Sequence, residues 1–211
     1  TKRSEQALAQ AQEQYQAASQ ALFAAREKAA AQLCKDVVKE LKALKMASTQ
    51  LRVTQSALPP QSWGAGGMHQ VSFEVATNSG MPFGALNKVA SGGELSRLLL
   101  AMKVVLHAGG GTNIFDEIDT GTGGAVAEAM GVRLRTLAES GQVIVVTHAP
   151  QVAALASHHL FIRKSGTKTV ATQVDVLDDA ARREEVARML SGATISDEAR
   201  KAAGKLLQGA A

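Results

Sequence analysis

Apolar and small residues recur every three or four positions through the first 47 residues, a stretch without proline or glycine. This spacing predicts one long amphipathic helix with heptad character. A helix of that length cannot cover its own apolar stripe. We therefore expect it either to pair with another helix as a coiled coil or to pack along the body of its own domain. The stripe consists of Leu8, Ala11, Tyr15, Ala18, Leu22, Ala25 and Ala29 and, after a shift, Leu33, Val37, Leu41 and Leu44.

Alternation between apolar and polar residues replaces the helical spacing after residue 47. It predicts strands at 51–56 and 68–76, which we expect to be antiparallel because a loop rich in proline and glycine separates them. Segment 81–91 has no clear period. A second amphipathic helix is predicted to begin near Gly93, and its apolar stripe is formed by Leu95, Leu98, Leu99, Met102, Val105 and Leu106.

Strand patterns and helix patterns alternate from residue 113 onward. Residues 142–147 form a nearly unbroken apolar run, which is typical of a parallel strand covered on both faces. The pattern predicts an α/β fold: an open, mostly parallel sheet with flanking helices and an edge hairpin, preceded by the N-terminal helix. The predicted elements are strands at 113–115 and 142–147, helices at 123–139 and 151–157, a hairpin at 160–163 and 169–176, and helices at 178–190 and 196–207.

The composition excludes several classes of protein. A chain of 211 residues with 45% hydrophobic and 20% charged residues is typical of a folded domain rather than a disordered one. Its single cysteine, Cys34, excludes an internal disulfide framework and a multi-cysteine zinc site. Aromatic residues make up only 3%, which argues against a protein that stacks on single-stranded nucleic acid. No apolar run approaches the roughly 20 residues that a membrane span needs.

The positive charge is confined to the N-terminal quarter. Residues 1–52 contain nine lysines and arginines against five acidic residues, whereas the rest of the chain is neutral and the total is +4. Lys35, Lys39, Lys42 and Lys45 recur at spacings of three and four, so they share one face of the predicted helix. This face either contacts a polyanion or is simply a solvated helix surface.

Polar residues with catalytic potential follow two of the central strands. One strand ends in Asp116-Glu117 and the other in Thr147-His148. Ligands of open α/β sheets bind beyond the carboxyl ends of the strands, so parallel neighbours would bring these groups to one crevice. Phosphoryl transfer uses one acid for Mg²⁺ and another to align or deprotonate the attacking water. The alternative is an acidic pair that only caps a helix.

A second pattern predicts anion binding. Ser91-Gly92-Gly93-Glu94 comes directly before an apolar helix. The glycines allow backbone N–H groups to approach an anion closely, and the N-terminus of the helix adds partial positive charge. An ordinary N-cap built from serine and glycine is the alternative.

These motifs, taken in order, resemble the C-terminal half of an ABC-type ATPase head, and within that superfamily they resemble the SMC-like RecN family of bacterial double-strand-break repair ATPases. Residues 89–97 (VASGGELSR) are similar to the signature motif, 112–117 (TNIFDE) to Walker B and 118–121 (IDTG) to the D-loop. Thr147-His148, within 147–154 (THAPQVAA), is similar to the switch-histidine segment, and 185–192 (EVARMLSG) fits the same family.

One departure from the family's pattern is decisive. The chain has no Gly-x-x-x-x-Gly-Lys-[Ser/Thr] phosphate loop. In the family this Walker A loop lies in an N-terminal lobe, separated from the second half of the head by the whole coiled coil. The resemblance therefore implies a coiled-coil arm at residues 1–47 and a C-terminal head lobe at 48–211, which needs the Walker A lobe of the same protein.

The resemblance also assigns roles to the residues. It implies that Asp116 holds Mg²⁺, that Glu117 is the general base, and that His148 contacts the γ-phosphate of ATP. The signature residues would bind the nucleotide of a second head in an ATP-dependent homodimer, and Asp119 would couple the two sites. These signature residues are Ser91, Gly92, Gly93 and Glu94.

The implied function is ATP hydrolysis between two heads that controls DNA binding or tethering at chromosome breaks. The cofactors would be ATP and Mg²⁺, the partners would be the second head and DNA but no membrane, and the location would be the cytoplasm, at the nucleoid. Alternatives are the head of another SMC-like repair ATPase and a non-catalytic scaffold that tethers DNA.

Overall fold

The computed structural model describes residues 1–86, 92–106, 111–116, 118–165, 171–192 and 194–209, without the side chain of Ser165. The chain divides into two compact units, Thr1–Leu106 and His107–Ala211. Each unit has its own buried apolar residues. The functional division at residue 47 remains a prediction. No helix among the described residues is long and apolar enough to span a bilayer.

The first unit begins with helix α1, Lys2–Ala43, as the heptad spacing predicts. Its covered face begins at Tyr15 and continues through the buried Ser19, Val37 and Leu41, and it packs on elements of the same unit. Leu8 is 60% exposed. The alanines of the predicted stripe are exposed too: Ala11, Ala18, Ala25 and Ala29.

An antiparallel sheet follows, in which strand β2 is central. It consists of β1, Gln50–Ala57, β2, His69–Ala76, and the two-residue β3, Gly84–Ala85. The register pairs Gln50 with Ala76 and Ala57 with His69, which confirms the predicted antiparallel pair. Strand β1 also packs against α1.

The loop between β1 and β2 is fastened to α1. The rings of Tyr15 and Trp63 stack with centroids 5.9 Å apart, and the Tyr15 hydroxyl donates to the carbonyl of Gly64 at 3.1 Å. Arg26 donates to the carbonyl of Gly66 at 2.9 Å. These contacts fasten the middle of α1 to the β1–β2 loop over about three turns of the helix.

Helix α2, Gly92–Val105, ends the first unit and packs on α1. Its buried residues are Leu98, Leu100, Ala101 and Met102. The predicted stripe included Leu99, which is 41% exposed, and omitted Leu100, which is fully buried. Leucines fill three consecutive positions here, so the sequence alone does not show which of them face the core.

The second unit is built around two parallel strands joined by a helix. Strands β4, Thr112–Asp116, and β5, Gln142–Val146, pair in parallel, and α3, Gly124–Ala138, connects them. Helix α4, Pro150–Leu155, follows and packs closely on α3: a Cβ at Gly131 would come 2.5 Å from the Leu155 side chain. The predicted α/β fold is confirmed.

An antiparallel hairpin and two helices complete the unit. The hairpin consists of β6, Leu160–Ser165, and β7, Ala171–Val176. Helices α5, Asp179–Ser191, and α6, Asp197–Gln208, then pack on each other. Their N-termini are capped by side chains, because Asp178 and Ser196 accept hydrogen bonds from backbone N–H groups. The core between these helices is formed by Val186, Ala187, Ala199 and Ala203.

The expectation that β5 is covered on both faces is wrong. Phe115 on β4 lies on the covered face, together with the partly covered Val143 and Val145. The opposite face carries Ile114 and Ile144, which are 69% and 40% exposed. Helix α3 contacts β5, but no described element of the unit covers the second face. The apolar run was correctly identified as a parallel strand, although only half of it is buried here.

Candidate active site

Three of the predicted polar groups, Asp116, Thr147 and His148, lie at one edge of the parallel pair. Asp116 is the last residue of β4 and pairs with Val146, the last residue of β5. Thr147 and His148 follow immediately. Asp116 and His148 therefore lie at the same carboxyl edge, as the strand pattern predicted. Asp116 is exposed and shares the open face of the sheet with Ile114, because alternate residues of a strand point to the same side.

Asp119 is the best-anchored polar group of this edge. Its side chain is buried, with 1% of the residue exposed. One carboxylate oxygen, Oδ2, accepts hydrogen bonds from the Thr147 hydroxyl at 2.6 Å, from the His148 backbone N–H at 3.2 Å and from the Ala149 backbone N–H at 2.8 Å. Three consecutive residues after β5 are thus tied to a single oxygen atom.

Further contacts fix both sides of this arrangement. The Thr147 hydroxyl also accepts a hydrogen bond from the Ala149 N–H at 3.0 Å. On the other side, the Thr122 hydroxyl and backbone N–H donate to the carbonyl oxygen of Asp119, at 2.7 and 3.0 Å. The second carboxylate oxygen, Oδ1, is buried and has no hydrogen-bond partner among the described residues.

The imidazole of His148 projects outward from the anchored turn. Its side chain is 72% exposed, and its Nδ1 lies 3.6 Å from Oδ2 of Asp119. This distance is too long for a hydrogen bond. The backbone of His148 is therefore fixed, while its ring is open to a ligand.

The signature residues belong to the first unit. Gly92, Gly93 and Glu94 form the first turn of α2, as the sequence predicts. A Cβ at Gly92 would meet nothing within 4 Å among the described residues, so the first turn of the helix has open space on that side. Ser91 and Glu117, the predicted nucleotide ligand and general base, lie outside the described residues.

The donor set at the edge of the sheet fits magnesium. Among the described residues no group of three or more histidine, cysteine or acidic side chains could hold a metal ion on its own. Mg²⁺ rarely needs such a cage, because it keeps several waters and binds one or two carboxylates together with substrate phosphates. Asp116 provides one exposed carboxylate of this kind.

The sequence did not predict two anchors of this unit. One is the hydrogen-bonded turn around Asp119, a residue for which the resemblance implied only a coupling role between two heads. The other is Arg182, whose guanidinium donates to the carbonyls of Ala153, Ala154 and Ala156 at the end of α4. Neither has a signal in the sequence pattern, because each joins residues about 30 positions apart.

Comparison with known proteins identifies close relatives, all described as DNA repair protein RecN. The chain is 40% identical to the protein from Xylella fastidiosa over 95% of this chain and 37% of that protein. It is 38% identical to the protein from Halalkalibacterium halodurans, over 90% and 34%. For Rickettsia felis the identity is 44%, over 85% and 33%. The chain thus spans about a third of the length of these relatives.

The fold has a counterpart among solved structures. The Smc head domain with a coiled coil and joint from Pyrococcus yayanosii superposes with a TM-score of 0.51 at 16% identity, covering 73% of this chain and 28% of that one. At this identity the likeness shows the fold alone. No family model matches the chain.

Proposed function

Since the chain is homologous to a segment of the RecN DNA repair proteins, we propose that it is the C-terminal lobe of an SMC-like ATPase head that hydrolyses ATP between two heads. One observation carries this proposal: Asp116 and His148 lie at the same carboxyl edge of a parallel strand pair. This edge is where α/β folds bind nucleotides. Hydrolysis would control how the protein holds DNA at a break.

The triphosphate would be held by a lobe that lies outside this chain. The sequence lacks a Walker A loop, and the chain covers about a third of its relatives. The open face of β4 and β5 supports this proposal, because Ile114, Ile144 and Val146 are exposed in a strand pair of parallel type. Parallel sheets are normally covered on both faces. The N-terminal lobe of the same protein would cover this face and complete the nucleotide site.

The residues at the edge divide the chemistry between them. Asp116 would hold Mg²⁺, which supplies charge neutralisation on the phosphates when it is bound. Glu117 would accept the proton of the attacking water. His148 would contact the γ-phosphate, a role that its exposed ring and fixed backbone support.

A second head would complete the site from the other side of the nucleotide. Gly92, Gly93 and Glu94 begin a helix of 14 residues, and with Ser91 they would contact the triphosphate bound to the partner head. Backbone N–H groups at the N-terminus of a helix are suited to this task. Asp119 would also influence the partner site through the D-loop of which it is part.

DNA is the proposed macromolecular partner. The relatives are DNA repair proteins, and Lys35, Lys39 and Lys42 form an exposed basic stripe on α1. Lys45, the fourth member of the predicted basic face, lies beyond the end of the helix. Phosphate contacts of this kind bind DNA without reading its sequence. Such contacts suit a protein that acts at breaks in any sequence.

The general base is tested by Glu117→Gln in the complete protein. The amide cannot accept a proton from water, so we expect ATP hydrolysis to fall by about a hundredfold or more, within the range of general-base catalysis. ATP binding should persist, and the ATP-bound head dimer should dissociate more slowly because its ATP is not hydrolysed. Turnover, nucleotide affinity and dimer mass are measured together.

The matched control is Glu128→Gln, an equal loss of charge at an exposed position of α3. It should leave turnover unchanged. Normal hydrolysis by Glu117→Gln would contradict the proposed chemistry. Loss of hydrolysis together with normal repair in cells would instead favour the non-catalytic scaffold.

A further inference from the structure

We propose that Asp119 is the positioning residue of His148: its buried carboxylate fixes the turn after β5, so that the imidazole faces the γ-phosphate. This inference rests on the proposed function, because it assumes that His148 contacts ATP. It goes beyond the motif, which places Asp119 in a loop between heads. The observation behind it is that one oxygen atom of Asp119 binds three consecutive residues, Thr147, His148 and Ala149.

The geometry leaves this turn few alternative conformations. Two adjacent backbone N–H groups and the preceding hydroxyl all point at Oδ2, so rotation about any one of the three residues breaks at least one hydrogen bond. Hydrogen bonds to a carboxylate are stronger than those between neutral groups. The bond from Ala149 N–H to the Thr147 hydroxyl closes the turn upon itself. The Cα of His148 is held at the centre of this network.

A carboxylate suits this position better than a neutral side chain does. An ionised carboxylate has only acceptors, and here the three partners are all donors. Burial of such a group is costly unless hydrogen bonds compensate for the lost hydration. Asp119 is 1% exposed, and its Oδ1 has no partner among the described residues.

The position of the carboxylate also determines which nitrogen of the His148 ring is free. Nδ1 is the ring nitrogen of His148 closest to Oδ2, at 3.6 Å. Nε2 lies on the opposite side of the ring and is therefore the nitrogen left for a phosphate oxygen. Asp119 thus orients His148 through its backbone and leaves the ring open to a ligand.

The test is a double-mutant cycle in the complete protein with ATP and Mg²⁺. The variants are Asp119→Ala, His148→Ala and the pair together. We expect Asp119→Ala to lower kcat by about tenfold to a hundredfold, because small misplacements of a catalytic group have effects of that size, with little change in KM. The preference for ATP over ADP should fall as it does in His148→Ala. The double variant should be no slower than His148→Ala alone.

Two conservative variants keep the test independent of folding. In Asp119→Asn the amide oxygen can still accept the three hydrogen bonds, so most of kcat should return. Thr147→Ala removes one donor and leaves the carboxylate in place, so kcat should fall in the same direction but by less. Asp178→Ala serves as a control, since it removes a helix cap in the same unit and should lower stability without changing kcat.

Each outcome has a distinct meaning. The inference is overturned if Asp119→Ala keeps full kcat while His148→Ala loses it, or if the losses of the two single variants multiply in the double variant. If His148→Ala itself has no effect on turnover or on the ATP preference, the proposed role of His148 fails, and the inference fails with it. A loss of kcat that tracks thermal stability across all variants, Asp178→Ala included, would also overturn it.

Discussion

His159 illustrates at the residue scale how burial changes a titratable group outside the active site. It precedes β6 and is half-buried, and its Nδ1 is buried without a hydrogen-bond partner among the described residues. Burial lowers the pKa of its imidazole below 6.5; nearby Glu185 opposes this shift, and Arg182 adds to it. The native state therefore favours the neutral ring. Protonation of His159 must work against folding.

The free energy of unfolding should consequently depend on pH through this residue. As the pH falls through about 6.5, the unfolded chain takes up the proton first, so it is stabilised relative to the native state. Stability is thus full above this pH and is lost below it, until the folded pKa is also passed. His159→Gln should flatten this part of the profile. Urea midpoints between pH 8 and pH 5 measure the effect.

The neighbouring His158 provides the control, because it is exposed. His158→Gln should leave the pH profile unchanged. Equal profiles for wild type and His159→Gln would contradict the prediction.

Single residues of the candidate active site were predictable where they follow a strand, and unpredictable where they depend on packing. The positions of Asp116 and His148 follow from two apolar runs that each end in polar residues. The buried network of Asp119 does not, because the sequence pattern gives no partner for a carboxylate and no sign that it is buried. Its partners lie 28 to 30 positions away.

At the scale of the element, α1 shows what heptad spacing can and cannot predict. The spacing predicted the bounds of the helix to within a few residues, but it did not predict which side of the helix faces the β1–β2 pair. Polar residues line part of the covered side: Ser19 accepts a hydrogen bond from the Met68 N–H, and Arg26 bonds to the loop. A prediction based on apolar positions alone does not include Ser19 or Arg26, because both are polar. The expectation that the stripe packs on its own domain holds in part, because one side of α1 packs on its own unit. Pairing with another helix stays a prediction, and the exposed alanines leave a face for it.

The basic stripe on α1 should contribute to DNA binding through phosphate contacts. In the complete protein, changing Lys35, Lys39 and Lys42 to glutamine should weaken DNA binding for all sequences alike. The slope of log affinity against log salt should decrease in magnitude by about 2 to 3, since each phosphate contact contributes about 0.9. Fluorescence anisotropy at several salt concentrations measures both effects.

The control removes charge elsewhere. Lys201 and Lys205 on α6 are also exposed, and changing them to glutamine alters the net charge in the same direction. The stripe would be only a solvated face in either of two cases. One is that the slope of log affinity against log salt is unchanged in the α1 variant, and the other is that it changes equally in the α6 variant.

At the scale of the whole molecule, the open face of the β4–β5 pair is the main departure from the sequence prediction. An apolar run predicted two covered faces, and the described residues of the unit cover one. In the β6–β7 hairpin, four apolar side chains are likewise more than half exposed: Leu160, Ile162, Val174 and Val176. The apolar pattern of a strand indicates how much of the strand is buried in the complete, folded protein. If the Walker A lobe covers this surface, the prediction holds for the complete head rather than for its C-terminal part.

This reasoning predicts a specific contact on the open face. Co-expression of this chain with the N-terminal lobe should give a complex that hydrolyses ATP, whereas the chain alone should show almost no turnover. Ile114→Thr keeps a β-branched residue on the strand but removes apolar area from the open face. It should weaken the complex by about tenfold or more, since full burial of an isoleucine contributes about 1.5–3 kcal/mol.

Val132→Thr on α3 is the matched control, because Val132 is 40% exposed and lies outside the sheet. It should leave the affinity between the lobes unchanged. Calorimetry measures the affinity, and a coupled assay measures turnover. Full ATP turnover by the isolated chain would contradict the divided site. Equal affinities for both variants would show that the open face is not where the lobe binds, even if the two lobes together restore activity. Only the combination of activity in the complex and a selective loss in Ile114→Thr supports a head completed across this sheet.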